Sequence, residues 1–493
     1  MAEEFMETQV IVVGAGPVGL MLAGELRLGG AEVVVLERLA EPTTESRAST
    51  LHSRTMEVFD QRGLLEPLGA VPNDAMSHFG GIPLDLGGLD TAYPGQWKVP
   101  QARTEELLGT WAAGLGADVR RGHEVCGVVR RDDYVEAEAA GPAGPLRVRA
   151  PYLVGCDGED SVVRRLTGIG FPGRDATREL LRADVRGVDV PDRRFERLED
   201  GLAIAATRGG VTRVMVHEFG SPADHRTAAP EYAEVAAAWK RVTGEDISCG
   251  TPVWVNAFGD MCRQASTYRA GRVLLAGDAA HAQMPVGGQA LNLGLQDAVN
   301  LGWKLAAELR GAAPEGLLDT YDAERRAVGT RVLTNIQAQA LLLLGGSEVE
   351  ALRAVLGEQI AYADVRRHLG GMISGLDIRY DVGAGSNPLL GARLPHMRLL
   401  TESGPTTSAA LLRSGRGLLL DLSPGRAASA FLTRAAGWAD RVDVAVARPE
   451  RGWREADFGS VLVRPDGYVV WTDQGADELP RALRRWFGAP AGR

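Results

Sequence analysis

Cysteine is rare in this chain. Four cysteines occur in 493 residues, and they are widely separated: Cys126, Cys156, Cys249 and Cys262. No CxxC pair is present, so the sequence indicates neither a disulfide framework nor a metal site. We interpret the four side chains as small hydrophobes, and their free state fits a reducing cytoplasm.

Long apolar runs are also missing. The first ten residues, MAEEFMETQV, are acidic where a secretory signal would be basic. No run approaches the roughly 20 apolar residues that a helix needs to span a bilayer. We therefore expect a soluble, cytoplasmic protein with no membrane partner.

Lysine is nearly absent. Only Lys98, Lys240 and Lys304 occur, so arginine carries almost all of the positive charge. The formal net charge of −10 disfavours binding to nucleic acid or to anionic lipid. A chain of 493 residues has room for two or three domains.

Glycine, in contrast, is abundant and forms a nucleotide-binding motif near the start. Residues 9–38 read strand, Gly-rich turn, helix, strand, with Gly14, Gly16 and Gly19 in GxGxxG spacing. Such glycines permit a tight turn and a close approach to a pyrophosphate. Glu37 follows 18 residues after Gly19, at the end of the second strand, where an acid binds ribose hydroxyls. The motif predicts a dinucleotide but does not separate NAD from FAD.

Two later motifs point to a longer cofactor. In GCDGEDSVVR, a strand ends at Asp157-Gly158, and in residues 272–305, RVLLAGDAAHAQMPVGGQALNLGLQDAVNLGWKL, another strand ends at Gly277-Asp278. A Pro-Gly-Gly turn and a long helix follow the second. A strand-end carboxylate can hold sugar hydroxyls, and glycines at a helix start let an electron-rich ring approach the positive helix end. These devices predict a cofactor bound at two ends, which we interpret as FAD.

The remaining pattern predicts the domain organisation. We expect a cofactor domain of the α/β class in two parts, residues 1–177 and 261–382. Residues 178–260 alternate as short strands with one helix, which indicates an inserted β-rich domain of the α+β class. Residues 383–395 are Gly/Pro-rich and predict a linker. Residues 396–493 predict a small α/β domain, without cysteine.

These motifs together resemble a known family. GAGPVG, GCDGEDSVVR and the segment from GDAAHAQ to GWKL resemble the class A, p-hydroxybenzoate hydroxylase-like flavoprotein monooxygenases. RTMEVFDQRGLLE, VPQARTEELL and VRPDGYVVW are similar to the aromatic polyketide hydroxylases, particularly the angucycline-type enzymes. The resemblance implies a Rossmann-like FAD domain, an inserted β-sheet substrate domain and a thioredoxin-like C-terminal domain.

The resemblance also implies the reaction. The enzyme would use FAD, NADPH or NADH as reductant and O2 to hydroxylate a polycyclic aromatic polyketide in antibiotic biosynthesis, through a C4a-hydroperoxyflavin. A helix beginning near Gly288 would direct N–H groups at the negative charge of the reduced ring. The protein would be a monomer or a homodimer.

Carried over residue by residue, the family pattern assigns most of the cofactor site. Gly14, Gly16 and Gly19 would hold the pyrophosphate, with Glu37 and Arg38 on the adenosine side. Arg47 and Gln101 would contact the phosphate and ribityl chain, and Val125 the adenine through its backbone. Asp278 would hold the ribityl chain or the pyrophosphate end, and Asp157 is linked to both FAD and NAD(P)H contacts. The residues that would line the isoalloxazine are Pro285, Gly288, Leu291 and Asn292. Cys156 departs from the pattern, which more usually has alanine there.

The substrate side of the site is less defined in the sequence. Phe79, Ile82 and Pro83 in the apolar loop HFGGIPLDL, together with Met284, are candidates for the substrate wall, and equally for ordinary core. The histidines near the motifs (His52, His78 and His281) are more often structural than catalytic, so no catalytic base is assigned.

Other reactions share these motifs. Baeyer–Villiger oxygen insertion uses the same flavin, and a simple FAD reductase or dehydrogenase has the same nucleotide signature. A flavin halogenase fits less well, because no lysine precedes Lys98. From a different class, the chain could be a non-catalytic flavin- or polyketide-binding partner.

Overall fold

The computed structural model describes residues 4–43, 49–224, 226, 228–383, 385–422, 433–450, 458–474 and 478–491. The helices of these residues are α1 (Pro17–Leu28), α2 (Ser53–Gln61), α3 (Leu65–Leu68), α4 (Gln101–Gly114), α5 (Val162–Thr167), α6 (Tyr232–Thr243), α7 (Gln289–Leu309), α8 (Asp319–Leu344), α9 (Glu350–Ile360), α10 (Ala363–Ser374) and α11 (Leu479–Phe487). No helix among them is both long enough and apolar enough to cross a membrane.

A six-stranded sheet forms the centre of the molecule. In spatial order its strands are β21 (Arg269–Ala270), β22 (Val273–Leu275), β13 (Tyr152–Gly155), β2 (Val10–Val13), β3 (Val33–Glu37) and β9 (Asp118–Arg121). All neighbours pair in parallel except β21. β2 and β22 are apolar and wholly buried, as expected for a parallel sheet that is covered on both faces.

Smaller sheets flank this centre. One joins β1 (Glu4–Glu7), β12 (Gly144–Ala150), β11 (Val135–Gly141) and β10 (Glu124–Arg130). Three others comprise β4 (Thr50–His52), β8 (Gln96–Lys98) and β5 (Asn73–Asp74); β6 (Met76–Phe79) and β7 (Ile82–Asp85); and β14 (Gly173–Arg174), β20 (Cys262–Gln264) and β23 (His281–Gln283).

A separate antiparallel sheet lies in the middle of the chain. Its order is β16 (Arg193–Arg197), β17 (Gly201–Arg208), β18 (Val211–Glu218), β15 (Glu179–Arg186) and β19 (Thr251–Gly259). One face packs on α6 through Val235 and Trp239, and the other packs on α8 through Leu180 and Leu202. The inserted β-rich unit of the sequence prediction corresponds to this sheet, although its exact limits stay a prediction.

The C-terminal part combines parallel and antiparallel strands. One sheet has the order β27 (Val442–Val446), β26 (Gly417–Asp421), β29 (Ser460–Val463) and β30 (Val469–Thr472), with β26 and β27 parallel. A second has β25 (Gly404–Thr407), β24 (Arg398–Thr401) and β28 (Arg448–Pro449). The mixture of α/β and α+β parts agrees with the fold class predicted from the sequence.

The C-terminal part is fixed to the cofactor domain by both apolar and charged contacts. Trp303 of α7 packs with Phe487 of α11. The fully buried guanidinium of Arg464 donates to Glu324 of α8 at 2.6 Å, and Lys304 donates to the same carboxylate at 2.8 Å. Since burying unpaired charge is costly, this pairing fixes α7 and α8 against the C-terminal sheet.

A second buried ion cluster organises the region around the opening turn of α7. Asp297, fully buried on α7, accepts hydrogen bonds from Arg325 Nε of α8 at 2.7 Å and from His281 Nε2 of β23 at 2.8 Å. It also accepts from the backbone N–H of Gly277 at 3.1 Å. Burial alone would raise the pKa of Asp297, but Arg325 and His281 hold it below its ordinary value.

We predict that Asp297→Asn destabilises the protein by about 3 kcal/mol, because it leaves the buried Arg325 without its counter-charge. The free energy of unfolding from urea titrations measures this. Asp319→Asn is the matched control, since Asp319 pairs with Arg269 while 73% of its side chain is exposed. We expect the control to change stability by less than about 1 kcal/mol. Equal effects of the two substitutions would contradict the role of Asp297.

Candidate active site

The turn between β2 and α1 has the form of a phosphate-binding loop. Gly14 has φ 104°, and a Cβ there would lie 2.4 Å from the carbonyl oxygen of Cys156, so only glycine fits. Gly16 is the N-cap of α1, and no side chain caps the helix. A Cβ on Gly16 would meet no atom within 4 Å. The space beside the start of α1 is therefore open at Gly16, and an anionic group there would lie near the positive end of the helix.

Glu37 at the end of β3 is tied to this turn. Its carboxylate accepts from the backbone N–H of Ala15 at 2.7 Å and from that of Leu39 at 2.9 Å. The carboxylate therefore lies beside the phosphate-binding loop, where ribose hydroxyls can reach it. Arg38 is exposed next to it.

Three other residues predicted to contact FAD are Gln101, Val125 and Arg47. Gln101 begins α4 and donates to Glu105 at 2.8 Å, and Val125 is buried in β10 next to a register shift. Arg47 lies outside the described residues. All three assignments stay predictions.

Asp157 has a clear local role. Its carboxylate accepts from Ser161 Oγ at 2.6 Å and from the backbone N–H of Val163 at 3.0 Å, so it helps to cap α5. Burial raises its pKa. The preceding Cys156 is a thiol, since burial raises the pKa of this group well above its ordinary value.

The opening turn of α7 forms the other end of the site. Asp278 is exposed on a short 3-10 turn after β22, and Pro285 is exposed before a second such turn. Gly288 has φ 67° and is the N-cap of α7, which no side chain caps. Leu291 and Asn292 lie in the first turn of this helix. An electron-rich ring over Pro285 and Gly288 would face the positive end of α7.

His52 and Thr50 hold this turn in place. Asn292 Oδ1 accepts from the backbone N–H of His52 at 2.8 Å, and its Nδ2 donates to the carbonyl of Thr50 at 3.0 Å. His52 Nε2 lies 2.8 Å from the carbonyl oxygen of Gly287. Burial lowers the pKa of His52 to about 4, so a neutral ring donates to Gly287. The role of Thr50 could not be predicted from the sequence, because only folding brings its carbonyl to Asn292 of α7.

The other two histidines are also structural in this arrangement. His281 is committed to Asp297. His78 stacks on Phe195 with centroids 4.0 Å apart, and burial lowers its pKa to about 3. Both rings therefore have structural contacts, and no catalytic base is assigned. Within the described residues, no group of three or more His, Cys, Asp or Glu side chains could hold a metal ion.

The predicted substrate residues separate into two apolar clusters. Phe79 and Ile82 pack with Leu342 and Ile360 of α8 and α9, whereas Pro83 is exposed. Met284 lies in the other cluster, which fills the space between α8 and the five-stranded sheet. All four assignments stay predictions.

The second cluster contains residues that the sequence reasoning did not select. They lie on the face of the five-stranded sheet that packs against α8, and they are Leu180, Leu202, Ile204, Met215 and Phe258. Val286 of the turn before α7 packs with them, so this apolar face lies next to the turn. The alternation of apolar and polar residues along the strands predicts an apolar face, but it does not predict which helix packs against that face.

The family comparisons agree with this geometry. Residues 7–336 match a family model described as an FAD binding domain, and residues 387–490 match one described as the C-terminal part of an aromatic-ring hydroxylase. A 12-dehydrotetracycline 5-monooxygenase/anhydrotetracycline 6-monooxygenase from Streptomyces rimosus is 44% identical, across 99% of this chain and 100% of that protein. The chain belongs to this family of FAD-dependent monooxygenases.

Two solved structures have nearly the same fold. BexE, studied for oxidation during BE-7585A biosynthesis, is 54% identical, with TM-score 0.94 over 99% of this chain and 100% of that chain. CabE, an aromatic hydroxylase from angucycline biosynthesis, is 52% identical, with TM-score 0.94 over 98% of this chain and 100% of that chain. The resemblance stated from the motifs and the predicted FAD cofactor are therefore confirmed. The assignment of individual residues to FAD binding stays a prediction. It is consistent with the starts of α1 and α7, which no side chain caps.

We predict that Gly16→Ala weakens FAD binding about ten- to hundredfold, because the added Cβ occupies the space where the pyrophosphate would lie. Its φ of −72° suits alanine, so the fold should be retained. Flavin fluorescence titration of the apoprotein measures the affinity. Gly114→Ala is the control, since its Cβ also meets nothing within 4 Å but lies at the end of α4. Unchanged affinity for Gly16→Ala would contradict the assignment.

We also predict a pH-dependent contribution of His52 to stability. Its folded pKa of about 4 lies below the ordinary value of about 6.5, so the unfolded chain takes up the proton first. Stability from His52 is complete above about pH 6.5 and falls by up to about 3 kcal/mol as the pH approaches 4. The free-energy gap between wild type and His52→Gln should therefore narrow from pH 7 to pH 4. Exposed His368→Gln should track the wild type, and a constant gap for His52→Gln would contradict the prediction.

Proposed function

We propose that this FAD-dependent monooxygenase hydroxylates a polycyclic aromatic polyketide, with NADPH or NADH as reductant and O2 as the oxygen source. The observation that carries the proposal is the apolar sheet face, with Ile204, Met215 and Phe258, next to Val286 of the turn that begins α7. A large aromatic substrate needs such a wall, and a flavin ring needs such a turn. The relatives named above support the substrate class.

The residues that would hold FAD follow the two ends of the site. The start of α1 with Gly14, Gly16, Gly19 and Glu37 would hold the adenosine and pyrophosphate, together with Arg38, Arg47, Gln101 and Val125. Asp278 would hold the ribityl chain. Asp157 would act by ordering the loop before α5, since its carboxylate is already used within that loop.

The bound and reduced FAD supplies the oxygen activation. The protein would position the flavin and the substrate, stabilise the negative charge of the reduced ring and exclude water. The N-terminus of α7, which no side chain caps, would offer backbone N–H groups to a bound flavin and would favour its negatively charged reduced form. His52 holds that turn in place through the carbonyl of Gly287, and Asn292 connects the start of α7 to the carbonyl of Thr50. The apolar sheet face excludes water from the aromatic substrate.

Proton removal from the substrate needs no histidine in this proposal. Burial lowers the pKa of His52 and of His78, so both rings are weak bases, and each already has a structural contact. Phenolic polyketides ionise readily. Lys98 lies beside the turn, with Nζ 3.4 Å from Thr50 Oγ1, and burial lowers its pKa. Baeyer–Villiger insertion remains the alternative product outcome of the same site.

We predict that the FAD-loaded enzyme, given an anthracyclic or angucyclinone phenol and each nicotinamide nucleotide, oxidises the nucleotide faster when the phenol is present. The product should be heavier by one oxygen atom, and that atom should derive from isotopically labelled dioxygen. NMR distinguishes a new phenol from an inserted ester oxygen. Nucleotide oxidation that yields only hydrogen peroxide, across a panel of such phenols, would contradict the proposal.

Two substitutions on β18 locate the substrate. Met215 and Val211 are both half-buried on one face of the strand, but only Met215 belongs to the apolar cluster beside α8. Met215→Trp should raise the KM for the phenol about tenfold or more, since overpacking costs about 1–3 kcal/mol. Val211→Trp, at the hairpin end, should leave both KM and bound flavin unchanged. If both variants behave alike, the sheet face is not the substrate wall.

A further inference from the structure

One lysine side chain lies beside the opening turn of α7. Lys98 of β8 is directly opposite Thr50 of β4 in an antiparallel pair, so the two side chains lie on the same face of that small sheet. Lys98 Nζ is 3.4 Å from Thr50 Oγ1. This face points at the turn, because a Cβ on Gly288 would lie 3.2 Å from Thr50 Cβ and 3.5 Å from His52 Nε2. The amine of Lys98 is therefore separated from Gly288 by one side chain, that of Thr50.

Lys98 differs from the other two lysines in its partners. Lys240 is exposed and pairs with Asp246 at 2.8 Å, and Lys304 is buried and pairs with Glu324 at 2.8 Å. Lys98 is half-buried, yet no carboxylate in the described part of the chain forms an ion pair with it. Since charge that is taken out of water is normally paired, an anion beside Lys98 would supply the missing partner.

The charged groups around Lys98 come from several neighbouring strands. Burial lowers the pKa of Lys98, Asp74 of β5 opposes this, and Arg194 of β16 and Arg208 of β17 lower the pKa further. Asp74 itself lies 3.7 Å from Arg194. His52 and His78 also face Lys98, since its charge lowers the pKa of both rings in addition to burial. This neighbourhood has more cationic than anionic groups and would stabilise a bound anion.

An apolar surface adjoins these charges. His78, which faces Lys98, stacks on Phe195 with centroids 4.0 Å apart. Phe195 packs against the apolar cluster that includes Ile204 and Met215, which is the proposed substrate wall. An aromatic ring on this wall can therefore direct an ionised oxygen at Lys98. A phosphate group, in contrast, would gain nothing from the apolar surface.

We propose that Lys98 binds the substrate as a catalytic residue: its ammonium group pairs with an ionised phenolic oxygen and holds the ring as a phenolate beside the opening turn of α7. The phenolic proton passes to solvent, and the phenolate in turn favours the ammonium form of Lys98. A phenolate ring is richer in electrons than a phenol and reacts more readily with an electrophilic oxygen. This inference rests on the aromatic substrate proposed above.

The test uses the FAD-loaded enzyme and 2-hydroxyanthraquinone, a phenol whose ionised form absorbs at longer wavelength. Difference spectra at pH 7 give the ratio of phenolate to phenol in the bound ligand. We expect this ratio to fall about tenfold or more in Lys98→Gln, because an adjacent opposite charge lowers the pKa of an acid by about one unit or more. Lys98→Arg keeps the charge and should retain the ratio within about threefold. Lys240→Gln is the matched control, since this exposed lysine is paired with Asp246, and it should leave the ratio unchanged.

A second comparison does not depend on the folding of a variant. The wild type should bind 2-hydroxyanthraquinone about tenfold more tightly than its methyl ether at pH 7, because the ether cannot ionise. Equal affinities for the phenol and the ether would overturn the proposal.

Product formation and the phenolate ratio separate this proposal from the proposed function. If the wild type hydroxylates a phenol while Lys98→Gln leaves the ratio unchanged, the role of Lys98 is overturned and the proposed function stands. If Lys98→Gln raises only the KM for the nicotinamide nucleotide, Lys98 binds a nucleotide phosphate and the proposal is also overturned. A ratio that falls in Lys98→Gln and returns in Lys98→Arg supports the role of Lys98, even where no hydroxylated product forms and the proposed function fails.

Discussion

One buried carboxylate connects the parts of the chain on which the active site depends. Asp297 joins the start of the Gly277 turn, β23 through His281 and α8 through Arg325. Arg325 in turn donates to the carbonyl of Leu293 and to Tyr380. Because a buried carboxylate must be paired to be tolerated, these elements cannot move independently. Helix α7 is therefore fixed against the Gly277 turn, β23 and α8.

The two ends of the cofactor site use the same physical device. Both α1 and α7 begin at a glycine that offers no capping side chain, so backbone N–H groups remain available at each start. At α1 the space beside Gly16 is open, and at α7 these groups lie beside Pro285 and Gly288. A cofactor with a pyrophosphate and an anionic ring can use both. Two such starts suit a dinucleotide such as FAD better than a mononucleotide.

Several elements were predictable because their signal is local. The strand–turn–helix of residues 9–38 and the single helix of the inserted β-rich segment, which is α6, follow from periodicity and glycine placement. The histidines were not predictable in this way. The sequence around His52 and His281 does not distinguish their roles, but His52 bonds to the carbonyl of Gly287 and His281 pairs with Asp297. Those partners are 235 and 16 residues distant, and only the folded chain brings them together.

The sequence by itself determined the cofactor, the family and the class of fold, because glycine turns and strand-end acids act through local backbone geometry. Tertiary structure decided which surfaces lie next to that cofactor. The apolar face of β17, β18 and β19 meets α8 and Val286, and the C-terminal helix α11 packs on α7 through Phe487 and Trp303. Both arrangements join segments that are far apart in the chain. Side-chain packing between such segments has no periodicity that a single sequence reveals.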